Sequence, residues 1–200
     1  MLNDLLLFLF QCLWLLFPAA ISNHNASLGS HLAVPRPLKQ IFQLLDRPID
    51  LGLKIGGQEL FGRNKTFRGF IVAMLTGILL AGLQRYLFSV SGFFRSASLI
   101  KYSRVDFVTV GFLMGFGALL GDLVESFIKR RLNHRPGYPW FPWDQLDWII
   151  GSLLLVSLVY IPPVNYIFTV ITLYVIVHLF SDRMIERMGI KKKEDVFRPR

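Results

Sequence analysis

Long apolar runs separated by charged segments are the feature that most constrains how this chain folds. A membrane-spanning helix needs roughly 20 largely apolar residues, and such runs occupy residues 5–21, 67–88 and 107–128. Hydrophobic residues make up 53% of the 200-residue chain, and its mean hydropathy is +0.48. This is more apolar surface than a soluble domain of this size buries. We therefore expect an all-α integral membrane protein with one membrane-embedded domain over residues 1–200.

Two further apolar runs, residues 148–161 and 164–180, complete an expected bundle of about five transmembrane helices with polar cytosolic loops. Pro162 and Pro163 separate the two runs. Because a diproline interrupts a helix, it indicates a hairpin between the fourth and fifth spans. Aromatic residues typically gather at the membrane interface. We expect such a belt just before the fourth span, at Trp140, Trp143 and Trp148.

The formal net charge of +9 is spread between the apolar runs, so it does not indicate nucleic-acid binding. Most of the 22 Lys and Arg residues precede the second span or follow the third and fifth. The positive-inside rule places these segments in the cytosol. We expect a multi-pass protein of the cell (inner) membrane, with the N-terminus outside and with the C-terminus and active site facing the cytosol. Four basic residues fall on the other side, more than the rule favours: Arg85, Arg95, Lys101 and Arg104.

The motif NKTFRG, residues 64–69, opens the second span. Lys65 and Arg68 are three residues apart, so they share one face of the first helical turn. The N-terminus of a helix also offers free N–H groups and a positive dipole. The motif is therefore a candidate phosphate site, and the alternative is that these cations only orient the span.

The motif GDLVESFIKRR, residues 121–131, ends the third span. Asp122, Glu125, Ser126 and Lys129 are spaced to line one helix face. A carboxylate at membrane depth costs roughly 2.5–3.5 kcal/mol, so it needs a partner, a metal or a water-filled cavity. The alternative is a Glu125–Lys129 ion pair beside stop-transfer charges, which explains Glu125 but not Asp122. Glycines in and before the motif indicate a helix-packing surface at Gly111, Gly115, Gly117 and Gly121.

The motif FPWDQLD, residues 141–147, precedes the fourth span. Asp144 and Asp147 are three residues apart in an expected first helical turn, so both carboxylates should face the same way. Mg²⁺ typically takes one or two carboxylates and completes its coordination with water and substrate phosphates. Acidic residues that cap the helix N-terminus are the alternative interpretation.

Together, basic residues from two helices and carboxylates from two helices indicate phosphoryl or nucleotidyl transfer, in which positioning and charge neutralisation supply most of the catalysis. The sequence contains no G-x-S-x-G motif and no P-loop motif. A non-enzymatic membrane transporter or assembly factor is the alternative from another class. That alternative predicts that the carboxylates of the third and fourth spans do not converge on one cavity.

In their order, the motifs KT-x-RG, GD-x-x-x-SF-x-KRR and P-G-x-P-W-x-P-x-DQLD resemble the CDP-archaeol synthase family, relatives of the phosphatidate cytidylyltransferases, over about residues 60–151. The resemblance implies a membrane-embedded, Mg²⁺-dependent enzyme. Such an enzyme transfers CMP from CTP to a membrane lipid phosphate, giving a CDP-lipid of the CDP-archaeol or CDP-diacylglycerol type and pyrophosphate in phospholipid biosynthesis.

Other lipid-phosphate-processing enzymes fit the sequence less well. The D-G-x-x-A-R motif of CDP-alcohol phosphotransferases is absent. Lys129, Arg135 and Pro136 give a near match to one element of the acid-phosphatase type, but its P-S-G-H element is missing.

The resemblance also implies roles for individual residues. Its metal ligands are Asp144, Asp147 and Asp122, which with Lys129 form the expected catalytic set. Its substrate-binding residues are Asn64, Lys65, Thr66, Arg68, Ser126, Arg130 and Arg131. A softer similarity extends to His178, and Ser181 and Asp182 stand where the family usually has an asparagine.

Overall fold

The computed structural model describes residues 1–28, 36–134, 138 and 140–187. The described chain is mostly helical, which confirms the predicted fold class. Its helices are α1 Leu2–Leu28, α2 Arg36–Leu45, α3 Phe67–Val90, α4 Gly92–Ala97, α5 Phe107–Arg131, α6 Trp143–Val156 and α7 Val164–Arg187. A small antiparallel hairpin, β1 Lys54–Ile55 and β2 Gln58–Glu59, joins them and is not predicted by the sequence.

Three of the described helices, α1, α3 and α5, are long and apolar enough to cross a membrane. They correspond to the first three predicted spans. Helix α6 has 14 residues, and it begins and ends five residues earlier than the predicted run. In α7 the apolar stretch is Val164–Val177. The predicted count of five spans is therefore approximate, and Pro162 and Pro163 do lie in the connection between α6 and α7.

The core lies where α1 packs against the later helices. Buried apolar side chains from α1, α5, α6 and α7 meet there: Cys12, Leu16, Met114, Ile149 and Val170. The expected position of Trp148 in an interfacial belt is wrong. Its side chain is only 5% exposed, and its ring packs edge-on against Tyr174 with the centroids 5.1 Å apart. Because α6 begins five residues before the apolar run, Trp148 falls in its second turn and faces this core.

Small residues bring the backbones of α3, α5 and α6 unusually close together. A Cβ atom at Gly115 would lie 2.6 Å from the carbonyl oxygen of Ala73 in α3, and one at Gly117 would lie 2.6 Å from that of Gly151 in α6. Real Cβ atoms essentially never approach so closely. The predicted glycine packing surface is confirmed: Gly111 and Gly115 face α3, whereas Gly117 and Gly121 face α6.

We predict that Gly117→Ala destabilises the bundle, because the added methyl group forces α5 and α6 apart. The cost should be about 1–3 kcal/mol, measured as a lower melting temperature in detergent. Gly92→Ala is the matched control, since a Cβ atom there has no neighbour within 4 Å. Equal melting temperatures for the two variants would show that the close helix contact does not matter for stability.

Candidate active site

Three carboxylates converge at one end of the bundle. Asp122 and Glu125 project from α5 and Asp147 projects from α6, and each offers an oxygen atom within 4.8 Å of those of the other two. We call this group the carboxylate triad. The close helix contact explains its position, because a Cβ atom at Gly121 would collide with the carbonyl oxygen of Asp147. The residue after Gly121 is therefore held beside the start of α6.

Lys65 lies on one side of the triad and forms an ion pair with Asp122. Its Nζ atom lies 2.6 Å and 2.5 Å from the two carboxylate oxygens of Asp122. Thr66 follows directly and is the N-cap of α3, where its hydroxyl oxygen accepts a hydrogen bond from the backbone N–H of Gly69 at 3.2 Å. The cap fixes the point at which the chain enters α3, so it also fixes where Lys65 can reach. This gives Thr66 a structural role at the site.

Lys129 lies on the other side and joins α5 to α6. Its Nζ atom is 2.6 Å from Glu125 Oε1 and also forms an ion pair with Asp144. The predicted Glu125–Lys129 pair is therefore present. Asp144 also accepts a hydrogen bond from the backbone N–H of Trp140 at 2.6 Å, which ties the preceding loop to the start of α6.

The structure gives Asp144 and Asp147 different surroundings, and their expected pairing as two metal ligands stays a prediction. Asp144 is not a member of the triad, because its carboxylate is bound to Lys129 and to the backbone of Trp140. Residues three apart on a helix point about 60° away from each other, and that angle is enough to give the two carboxylates different partners. Glu125 takes the third place in the triad.

The charges around the triad do not balance within the described residues. The four carboxylates are Asp122, Glu125, Asp144 and Asp147, and the cations paired with them are Lys65 and Lys129. Asp147 forms no ion pair with another described residue. When all six groups are ionised, a net negative charge remains, which is the condition that favours a bound divalent cation.

The remaining predicted substrate-binding residues take different positions. Arg68 pairs with Asp46 at 2.6 Å and its side chain is 11% exposed. The Nε atoms of Arg68 and Arg130 are buried and have no hydrogen-bond partner among the described residues. Ser126 is buried directly after Glu125, and Asn64 is exposed before Lys65. These residues flank the triad along the chain, and among the described residues none of their side chains forms a hydrogen bond or ion pair with it.

The guanidinium group of Arg131 is hydrogen-bonded to the β-hairpin. Its guanidinium donates to the carbonyl oxygens of Ile55 at 2.7 Å and Glu59 at 2.9 Å, and it lies 5.4 Å from the ring centroid of Phe127. These contacts dock the hairpin onto the end of α5, and the expected phosphate contact of Arg131 stays a prediction. The side chains of His178, Ser181 and Asp182, and residues Arg135 and Pro136, lie outside the described part of the chain.

A loop organised by Asp50 positions the first motif. The buried carboxylate of Asp50 accepts hydrogen bonds from the backbone N–H groups of Phe61 at 3.0 Å, Gly52 at 3.0 Å and Gly62 at 3.3 Å. Burial raises the pKa of Asp50, but these backbone hydrogen bonds outweigh it and hold the pKa below its ordinary value. The backbone N–H of Ile49 donates to the carbonyl oxygen of Lys65 at 2.7 Å, which ties the loop to the motif.

Two features of the site were missed by sequence reasoning. Glu125 was interpreted through its ion pair and not as a triad member, although its three-residue spacing from Asp122 was the available signal. Asp46, the partner of Arg68, lies 22 residues away along the chain and carries no local pattern that could have revealed it.

Fold and site together define a class: a multi-pass membrane protein whose helical bundle holds carboxylates and lysines at one end. The chain belongs to the CDP-archaeol synthase family, since the CarS-like family model, described as CDP-archaeol synthase, matches residues 4–195. This confirms the resemblance drawn from the three motifs.

Individual relatives agree with this assignment. The CDP-archaeol synthase of Thermofilum pendens is 37% identical over 182 residues, covering 90% of this chain and 77% of the relative. That of Methanocaldococcus jannaschii is 35% identical over 185 residues, covering 92% and 95%. A solved structure described as an intramembrane enzyme for archaeal membrane lipids biosynthesis superposes with a TM-score of 0.59 at 26% identity, covering 85% of this chain and 91% of that chain.

We predict that Asp50→Asn loosens the loop that carries Lys65, because an amide cannot accept all three backbone N–H groups. The loss should be about 1–3 kcal/mol, measured as faster limited proteolysis between α2 and α3. Because the folded pKa is depressed, this stabilisation is present above the unfolded pKa near ~3.9. It is lost as pH falls through the lower folded value.

Glu59→Gln is the control for Asp50→Asn. It removes a carboxylate from the same loop, but that carboxylate pairs with an exposed arginine, Arg63, and such surface pairs contribute little. If both variants were cut at the same rate, Asp50 would not be the residue that organises the loop.

Proposed function

We propose that this protein transfers CMP from CTP to the phosphate of a membrane lipid, forming a CDP-lipid and releasing pyrophosphate. The observation that carries the proposal is the convergence of carboxylates from α5 and α6, with lysines on either side. A transporter or assembly factor has no need for this convergence. Nucleotidyl transfer does, because its substrates bring several phosphate charges that must be neutralised together.

The lipid that we propose is an isoprenoid ether-linked phosphate, giving a product of the CDP-archaeol type. The support comes from the relatives, which carry the name CDP-archaeol synthase at 37% and 35% identity. A diacyl phosphate giving CDP-diacylglycerol is the competing substrate. The apolar surfaces of the helices fit either set of chains, so a direct comparison of the two lipids is needed.

The carboxylate triad has the donor chemistry for Mg²⁺. Hard oxygen ligands suit this ion, which commonly binds through one or two carboxylates and substrate phosphates. Asp122, Glu125 and Asp147 would hold it, and the uncompensated negative charge around them supports the fit. Bound there, Mg²⁺ supplies neutralisation of phosphate charge.

The lysines are proposed to hold the phosphates of the two substrates. Lys65 and Lys129 each approach the triad from a different element, so their ammonium groups can reach a substrate placed between α3 and α6. A lipid phosphate is already an anion, so its attack on the α-phosphorus of CTP needs no general base. Catalysis then rests on orientation and on charge neutralisation.

The proposed topology places the triad end of the bundle in the cytosol, where CTP is available. The cations near this end, among them Lys65, Arg68 and Lys129, support that orientation through the positive-inside rule. The N-terminus is then outside and the C-terminus cytosolic. The proposed partners are CTP and the lipid phosphate, with no nucleic acid.

We predict that Asp147→Asn lowers transfer of label from α-labelled CTP into lipid by roughly 100-fold or more, since it removes one of the carboxylates proposed to hold the Mg²⁺ that neutralises phosphate charge. Purified protein in detergent is incubated with Mg²⁺ and either an unsaturated archaetidic acid or a phosphatidic acid. Wild-type protein should label the archaetidic acid preferentially.

Asp4→Asn is the control, because Asp4 is an exposed carboxylate at the start of α1 that pairs with the N-terminal amine. This variant should retain wild-type transfer. A folded Asp147→Asn protein with full activity would rule out the triad as the reacting site. No labelling of either lipid by folded wild-type protein would contradict the proposed reaction.

A further inference from the structure

We propose that a second site, at the end of the bundle far from the carboxylate triad, binds the phosphate-bearing headgroup of an anionic membrane lipid. A cavity of about 770 Å³ lies between the end of α3, the short helix α4 and the start of α5. Arg85 and Arg95 both line it. Lys65 precedes the first turn of α3 and Arg85 lies near its last turns, so roughly 25–30 Å of helix separates this cavity from the triad.

Backbone contacts hold the two guanidinium groups in place. Arg85 donates to the carbonyl oxygen of Tyr102 at 3.1 Å and lies 5.7 Å from the ring centroid of Phe107. Arg95 donates to the carbonyl oxygens of Phe88 at 3.3 Å and Ser89 at 2.9 Å. These contacts fix both side chains at the cavity wall but do not neutralise their charges.

Arg85 and Arg95 have no counter-ion among the described residues, unlike the three paired cations of the triad end. Within the described part of the chain, neither Arg85 nor Arg95 forms an ion pair, whereas Lys65, Arg68 and Lys129 all do. A guanidinium has five N–H donors, and the backbone contacts use only one or two on each arginine. The remaining donors suit phosphate oxygens, which arginine recognises in a two-pronged geometry.

An apolar path leads from the bilayer to this cavity. Leu79 is 73% exposed and Tyr86 is 61% exposed, and together with Leu75 and Leu83 they lie along one face of α3. Tyr86 also lines the cavity. A lipid whose chains lie along this face would place its headgroup beside Arg85 and Arg95. The occupant is therefore a membrane lipid, whose anionic headgroup would meet the free guanidinium donors.

This site also accounts for two of the four cations that oppose the positive-inside rule. Arg85 and Arg95 line the proposed lipid site, which gives them a role besides orienting the protein in the membrane. Lys101 and Arg104 do not line the cavity. The inference does not depend on the proposed transfer reaction, because the cavity and the triad lie at opposite ends of α3.

The test is a binding titration of the detergent-solubilised protein by native mass spectrometry. The probes are phosphatidylglycerol, an anionic phosphodiester that lacks the free phosphate proposed as substrate, and zwitterionic phosphatidylcholine. The double variant Arg85→Gln/Arg95→Gln should bind phosphatidylglycerol at least roughly tenfold more weakly than wild type, with little change for phosphatidylcholine.

The matched control is Lys101→Gln/Arg104→Gln, which removes the same charge from the same end but leaves the cavity intact. It should bind phosphatidylglycerol like wild type. The melting temperature of each variant without lipid shows whether it folds. If the double cavity variant does not fold, Arg95→Gln alone carries the test and should weaken phosphatidylglycerol binding severalfold.

Three outcomes would overturn the proposal. Equal binding of the two lipids by wild type would show that the cavity does not select charge. An equal loss in the cavity and control variants would show that only the net charge matters. Inorganic phosphate that raises the melting temperature of wild type but not of the cavity variant, with no lipid preference, would assign the site to a soluble anion.

Discussion

The close contact between α5 and α6 is the constraint on which the site depends. Gly117, Gly121 and Gly151 allow the two backbones to touch where any side chain would separate them. Asp122 and Asp147 lie beside this contact, so the helix packing itself brings carboxylates from two helices together. Without that contact, the same residues would be scattered charges near a membrane surface.

The gathered carboxylates repel one another in a partly buried environment, and the ion pairs of the fold offset only part of this repulsion. Lys65 from the start of α3 and Lys129 from α5 each contact the acidic group. Removing either lysine would leave a carboxylate uncompensated, which is more costly than never having buried the pair. The negative charge that remains is the physical basis on which we propose a metal ion and substrate phosphates at the site.

The two ends of the bundle therefore have different electrostatics. At the triad end, Lys65, Arg68 and Lys129 pair with carboxylates. At the far end, Arg85 and Arg95 are held by backbone carbonyls and keep their charge available. The first arrangement fits a site that must bind and release charged substrates. The arrangement at the far end, with two arginines that lack a counter-ion among the described residues, fits the proposed binding of an anionic lipid.

Local sequence patterns predicted much of this structure because helices obey short-range rules. The apolar runs located α1, α3 and α5, and four-residue spacing predicted the Glu125–Lys129 pair and the glycine packing surface. Contacts between elements could not be predicted in this way. Asp144 and Asp147 have different partners because their side chains contact different residues of the folded bundle.

The docking of the β-hairpin by Arg131 and the burial of Trp148 follow from the tertiary packing. The start of α6 shows a related limit, because the helix begins at Trp143, five residues before the apolar run. A hydropathy pattern detects apolar residues and not the hydrogen bonds that extend a helix beyond them.

The most direct measurement is the anomalous diffraction signal of Mn²⁺, used in place of Mg²⁺, in crystals of the protein grown with CTP. We predict one or more Mn²⁺ peaks between α5 and α6, within coordination distance of Asp122, Glu125 and Asp147, with the triphosphate alongside. A peak coordinated by Asp144 and by none of the triad carboxylates, or nucleotide bound with no metal at this end of the bundle, would contradict it.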